Sequence, residues 1–242
     1  MKHLLTIVGA LAAVLTLSAC AAPSPESLAA NDPWELTNRD TFVFDVWIDH
    51  HIARPIAEAY QDVVPEPARG ALHNAATNMR GPVVLANDVL QGRAGKAANT
   101  LGRIIVNTTV GLGGLIDVAS RIGIPYHDND FCVTLGVGGV AEGSYLVLPF
   151  LGPKPPRDIL GSFADGAFDP MTYARFDGRG TFLTVRSTFN ILDTEAQNMD
   201  QVETIERTSI DFYASARSLY RQHRAAQIRG DQPDDFQLLP NL

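Results

Sequence analysis

The sequence predicts a mainly α single domain made of amphipathic helices, with a glycine-rich loop segment in its middle. Three observations predict it. From Thr41 to Tyr60, Phe44, Ile48, Ile52, Ile56 and Tyr60 recur every four residues while Asp45, Asp49 and Glu58 fall off that row, as a helix with one apolar face requires. Fourteen of the 20 glycines lie between Gly81 and Gly161, where close backbone approach and sharp turns become possible. Beyond the first 20 residues, no run of 18 uninterrupted apolar residues occurs, so the mature chain is expected to contain no transmembrane helix.

Taken in order, the chain starts with Lys2 and His3, then an uncharged stretch from Leu4 to Leu17, then Ser18 and Ala19 before Cys20. A positive start, a short apolar stretch and small residues at a cleavage point are the parts of a secretory signal, read here as residues 1–19. Residues 20–32, small, polar and proline-containing, read as a flexible tether. The helix beginning near Thr41 should be kinked or divided by Pro55. Further helices are expected at 66–79, 82–91 and 94–106, punctuated by Gly81-Pro82 and by Gly92. A last helix is expected from about Thr194 to Gly230, with Glu195, Asp200, Glu203, Glu206 and Asp211 early and Arg217, Arg221, Arg224 and Arg229 late, an order that suits the helix dipole. The compact domain is expected over 33–230, and the tail 231–242 reads as disordered or loosely packed.

The charge is −8 with neutral histidines, and loss of Lys2 with the signal makes it −9, which argues against nucleic acid and against polybasic attachment to anionic lipid. Only Lys2, Lys96 and Lys154 are lysines, so arginine carries almost all positive charge. With Cys20 and Cys132 as the two cysteines, acylation of the first would leave Cys132 as a small buried apolar residue. No enzyme motif stands out, and no cofactor or metal is expected. Gly136, Gly138 and Ala141 spell GxGxxA, but Gly143, Pro149 and Pro153 follow where a long helix should begin. His50 and His51 are adjacent and cannot share one helical face. Asp128 and Asp130 flank Asn129 without the glycine and glutamate of a calcium loop. Asp117, Asp158, Asp165 and Asp169 read as caps and turn formers rather than as a hydrolytic pair. The apolar helix faces fit either a leaflet surface or the core of a soluble helical protein.

Leu17-Ser18-Ala19-Cys20 resembles the lipobox of bacterial lipoproteins, which implies acylation of Cys20. Ala21 in place of an aspartate then favours the outer membrane, facing the periplasm. The rest of the chain is similar to the MlaA (VacJ) family. The similarity is carried by NDPWELTNR (31–39), RPIAEAY with VPEPAR after it (54–69), NDVLQG (87–92), RIIVNTTVGLGGLIDVA (103–119), TLGVGGVAEGSYLVLPFLGPKPPRD (134–158) and part of DFYASARSLYRQHR (211–224). Thr37 departs from the family's usual aromatic. The resemblance implies a ring-like helical domain around a polar channel, lodged in the inner leaflet of the outer membrane beside a trimeric porin. It would clear phospholipids from the outer leaflet and pass them to a periplasmic carrier protein. In that frame Asn31, Asp32, Pro33, Asn38 and Arg39 would lock the tether onto the ring, and Gly111, Gly113 and Gly114 would hinge a hairpin-like gate over 107–140. Arg103, Asp117 and Arg157 are candidates for polar lining or for pairing within the wall, a structural salt bridge being the alternative to headgroup contact for each arginine. A non-transporting adaptor tethered to porins or envelope complexes is the alternative.

Overall fold

The computed structural model describes residues 23–230. The signal, Cys20 and the tail lie outside the described residues. The stretch read as a tether is folded from residue 23 onward: Pro25–Ala29 forms α1, started by Ser24, whose hydroxyl accepts from the Ser27 amide at 3.1 Å. Asp32, which follows it, has no exposed surface. The coil expected there is displaced because the Asp32 carboxylate is a buried acceptor for side chains of two other helices.

Helix α2 (Glu35–Ile48) runs through a π turn (Asp49–Ala53) into α3 (Arg54–Val63). Pro55 therefore divides the expected helix through a π turn rather than by ending it: the backbone stays right-handed helical from Ile48 to Arg54, and the wider turn just before Pro55 accommodates its ring and missing N–H. By contrast, α4 (Glu66–Leu90) continues straight through Gly81-Pro82, where a break was expected. Val83 and Val84 are buried just beyond the proline, and α4 makes its most extensive pairing with α5 (Ala94–Thr109). Burial of that face offsets the hydrogen bond the proline cannot make. Gly81 permits the approach: a Cβ there would lie 2.6 Å from Ile104 Cγ1.

Residues 107–140 form a tight turn, α6 (Val118–Arg121), an extended stretch and α7 (Phe131–Val137). The turn needs glycine. Gly113 and Gly114 have φ of 74° and 101°, and a Cβ on Gly111 would meet the Ile116 carbonyl oxygen at 2.2 Å. A two-stranded hairpin, β1 (Val147–Leu148) with β2 (Gly152–Pro153), follows, pairing Val147 with Pro153 and Leu148 with Gly152. Then come α8 (Pro156–Phe168), α9 (Arg179–Thr208) and α10 (Phe212–Arg229).

The single helix expected from 194 to 230 is two. The break falls at 209–211, and Asp211 caps α10 by accepting from the Ala214 amide at 3.0 Å. Its acids consequently do not favour a dipole, since Glu203 and Glu206 sit at the C-terminal half of α9. They are held instead by cross-chain partners, Glu203 by Arg54 at 3.2 Å and Glu206 by His50 at 3.1 Å.

Polarity is inverted relative to a water-soluble globule. Among the described residues, 16 polar or charged side chains are buried against 14 apolar ones, while 30 large hydrophobics are exposed. Scattered exposed apolar residues are ordinary. Here they are large and placed on successive helices: Val43, Phe44 and Trp47 on α2, Ile56 on α3, Leu101 and Ile105 on α5, Leu160 and Phe163 on α8. The helix faces do not turn inward, as the soluble alternative would require. Among the described residues, an apolar cluster gathers Phe42, Tyr145, Val147, Tyr213, Ala216 and Tyr220 between α2, the hairpin and α10.

Candidate functional site

Two polar assemblies stand out. The first is a cavity of about 120 Å³ between α4 and α5, closed on a third side by residues 115–127. Helix periodicity builds it. On α4, His73, Asn74, Thr77 and Asn78 repeat at three- and four-residue spacing on one face. On α5, Arg103 and Asn107 are one turn apart and face them. Arg103 donates to Asp117 at 2.8 Å, to Ser120 Oγ at 2.9 Å and to the Ile124 carbonyl at 2.6 Å. Asn107 donates to the other Asp117 oxygen at 2.9 Å and accepts from the Ala119 amide at 2.9 Å. Burial works against the charge of Asp117, but hydrogen bonds from Ser120, Arg103 and Asn107 hold its carboxyl well below the usual carboxylate range.

The cavity floor is tied down by Asp88. This fully buried carboxylate accepts from His127 Nε2 at 3.0 Å, from Thr100 Oγ1 at 2.7 Å and from Asn129 Nδ2 at 2.8 Å. Burial opposes its ionisation, yet these donors depress its pKa. The loop over 122–130 is thus fastened to both α4 and α5. At the rim, Arg80 reaches Asp128 at 3.0 Å.

The second assembly joins residues 31–39 to α10, the last described helix. Asp32 accepts from Asn38 at 2.7 Å, from Arg217 at 2.5 Å and from the Tyr213 hydroxyl. Asn38 also donates to the Tyr145 carbonyl at 3.1 Å and accepts from the Val147 amide at 2.9 Å. Asn31 donates to the Gly143 carbonyl at 2.7 Å, and Arg39 makes a two-pronged contact with Asp211 at 3.0 and 2.6 Å. Four of the five residues singled out at 31–39 thus sit in one network; Pro33, between them, contributes no side-chain hydrogen bond.

Of the three lining candidates, the structure brings Arg103 and Asp117 together on the cavity and puts Arg157 elsewhere. Arg157 is buried beside Asp158 at 3.2 Å, in a groove lined by α10. Arginines there are all matched: Arg217 by Asp32, Arg221 by Glu142 at 2.6 Å and Arg224 by Asp130 at 2.6 Å. The four dispersed acids likewise have separate partners. Asp165 accepts from Asn87 at 2.9 Å and Asp169 from Arg186 at 2.6 Å. Asp128 and Asp130 go to Arg80 and Arg224, and among the described residues no cluster of His, Cys, Asp and Glu is arranged for a metal. Cys132 is buried, its thiol pushed up to about 12 by burial and then by the charge of Asp130. Sequence reasoning missed His73, Asn74, Thr77, Asn78, Asn107 and the Asp88–His127 pair. The polar stripe on 66–79 and the 100-103-107 spacing were the available signals.

Comparison with known proteins agrees with this architecture. A family model described as MlaA lipoprotein matches residues 30–227. The intermembrane phospholipid transport system lipoprotein MlaA of Escherichia coli is 34% identical over 210 residues, spanning 85% of this chain and 82% of that protein. Its namesake in Haemophilus influenzae is 32% identical over 244 residues, with 96% of each chain covered. An uncharacterized protein of Rickettsia felis is 31% identical over 210 residues, covering 86% of this chain and 82% of its own. A solved structure described as "Structural basis for maintenance of bacterial outer membrane lipid asymmetry" superposes with a TM-score of 0.73 at 32% identity, covering 81% of this chain and 98% of that one. The fold is therefore the mainly α, ring-like one of that structure. With the family match running from Asn31's neighbour to the last turns of α10, this chain belongs to the MlaA lipoprotein family.

Proposed function

We propose that this protein is an outer-membrane lipoprotein that removes mislocalised phospholipids from the outer leaflet and so maintains lipid asymmetry; its relatives are named for intermembrane phospholipid transport, and the similar solved structure for maintenance of outer-membrane lipid asymmetry. The observation that carries the reading is the inverted polarity: large apolar side chains outside, charged and amide side chains inside, and a polar cavity between helices. Moving a headgroup through hydrocarbon costs several kcal/mol for its charge alone. A wet interior surrounded by apolar helix faces removes that cost while the acyl chains stay in oil. Since no helix among the described residues is long and apolar enough to cross a membrane, contact with one leaflet through those faces suits the chain, with Cys20 as lipid attachment. A trimeric porin beside the ring and a periplasmic carrier that receives the lipid complete the proposed route. The network at 31–39 acts as the dock for the tether, and the turn at Gly111, Gly113 and Gly114 as the hinge of a gate over 107–140. A non-transporting adaptor would need no polar interior.

The test is outer-leaflet phospholipid in cells lacking the gene and in cells complemented with it. Surface phospholipid that rises on deletion and falls on complementation supports transport; an unchanged surface composition contradicts it. Detergent pull-down of the acylated protein tests the porin, and lipid transfer to an added periplasmic carrier tests the hand-over. Gly113→Val, which forces a branched side chain onto a φ of 74°, is expected to impair clearance with membrane attachment intact; full clearance would remove the hinge from this turn.

A further inference from the structure

We infer that the cavity between α4 and α5 is a charge-balanced conduit that passes zwitterionic and anionic phospholipid headgroups alike, and that the Arg103–Asp117 pair sets this indifference. The inference rests on the transport reading and adds to it the selectivity of the passage.

The fixed charges among the lining residues are those of Arg103 and Asp117, and they cancel at 2.8 Å. Both are held by the wall itself. Arg103 donates to Asp117, Ser120 and the Ile124 carbonyl, and its Cζ lies 5.3 Å from the centroid of the Tyr126 ring. Asp117 takes hydrogen bonds from Arg103, Asn107 and Ser120. The remaining carboxylates stand behind the wall, Asp88 behind His127 and Asp193 behind His73, at 3.0 and 2.7 Å. Amides and hydroxyls without formal charge, among them Asn74, Thr77 and Asn78, supply further polar surface. None of the lining side chains is among those with a buried polar atom left unpartnered.

A binding site for a phosphate would hold cationic donors in reserve, aimed at the anion. Here the one guanidinium of the wall is already neutralised by a carboxylate at 2.8 Å. The wall offers polarity, which lowers the cost of headgroup entry, without a net charge that would retain one headgroup class. Removing either partner exposes the other in a partly buried place, where its field is weakly screened.

The experiment uses the full-length acylated protein in a deletion strain whose membranes contain phosphatidylethanolamine and phosphatidylglycerol. Surface lipid is sampled from intact cells with added phospholipase, and headgroups are read by mass spectrometry. Wild type is expected to clear the two classes at rates within about twofold. Asp117→Asn keeps the cap geometry and bares Arg103, so the lipid remaining on the surface should shift several-fold toward phosphatidylethanolamine. Arg103→Gln bares Asp117 and should shift it the opposite way. The Arg103→Gln/Asp117→Asn double variant should return the ratio to the wild-type value, whatever its total rate. Wild-type discrimination beyond about fivefold, or single variants that lower both classes together or shift the ratio in the same direction, would overturn charge balance while leaving transport intact. Failure of wild type to clear either class would overturn the transport reading itself.

Discussion

The junction between residues 31–39 and α10 and the cavity between α4 and α5 are both built from buried polar side chains, but they differ in what surrounds them. At the junction, Asp32, Asn38, Arg217 and Tyr213 are locked against the aromatic cluster of Phe42, Tyr145 and Tyr220. Phe42 and Tyr213 meet edge to face at 5.5 Å. At the cavity, the same kinds of hydrogen bond line a space of about 120 Å³. One region uses polarity to fix a unique arrangement; the other uses it to line a space. Stability should therefore be concentrated in the first and function in the second.

The strongest way to break that contrast is at Asp32. Asp32→Ala takes the buried acceptor from the Tyr213 hydroxyl and leaves Arg217 only Glu35 at 3.6 Å, and should cost about 3–5 kcal/mol, read as a lower melting temperature of the purified protein. If the loss is below about 1 kcal/mol, the junction is not where stability lies. A smaller effect is expected on the cavity side. Gly81→Val presses against Ile104, forcing α4 from α5 at about 1–3 kcal/mol, and should impair lipid clearance more than it lowers the melting point.

A third prediction concerns pH. Asp165, on α8, is raised to about 6 by burial and by the nearby charge of Asp130, against hydrogen bonds from Asn87 and the Phe131 amide. A carboxyl whose folded pKa exceeds its unfolded value of about 3.9 stabilises the fold below that pH, and the contribution is lost as pH rises through 6. Asp165→Asn should therefore melt above wild type at pH 7 by about 1 kcal/mol, after allowance for solvent screening, and the difference should vanish near pH 4. The smallest effect belongs to the rim. The Arg80–Asp128 pair, more than 40% exposed on each side, should contribute under about 1 kcal/mol and less at high salt. Arg80→Ala melting within that range in low and high salt keeps the rim out of the stability account.

Much of the fold was legible because helices announce themselves by period. The stride from Phe44 to Tyr60 and the division at Pro55 both appear in α2, the π turn and α3. Continuity through Pro82 was not legible, because it depends on Ile104 of another helix filling the space above Gly81. Asp211 looked like one acid among several. Its role as the cap of a new helix depends on the preceding chain turning at 209–211, which local propensity does not specify. The site was half legible. Arg103 and Asp117 are 14 residues apart, within one turn-and-return of the chain, so their pairing could be wagered; Arg157 could not be separated from them without coordinates. His73 and Asp193 meet across 120 residues, a contact no spacing rule supplies.

The most direct test of the central claim is to fill the cavity mouth without touching the junction. Asn74, on the α4 face of the cavity, makes only a 3.4 Å contact to the Leu115 carbonyl, so Asn74→Trp can plug the space at little cost in stability. With the variant present in the membrane at wild-type abundance and melting temperature, surface phospholipid is predicted to rise to the level of the deletion strain. Clearance at the wild-type rate would show that lipid takes another path, and would contradict the account.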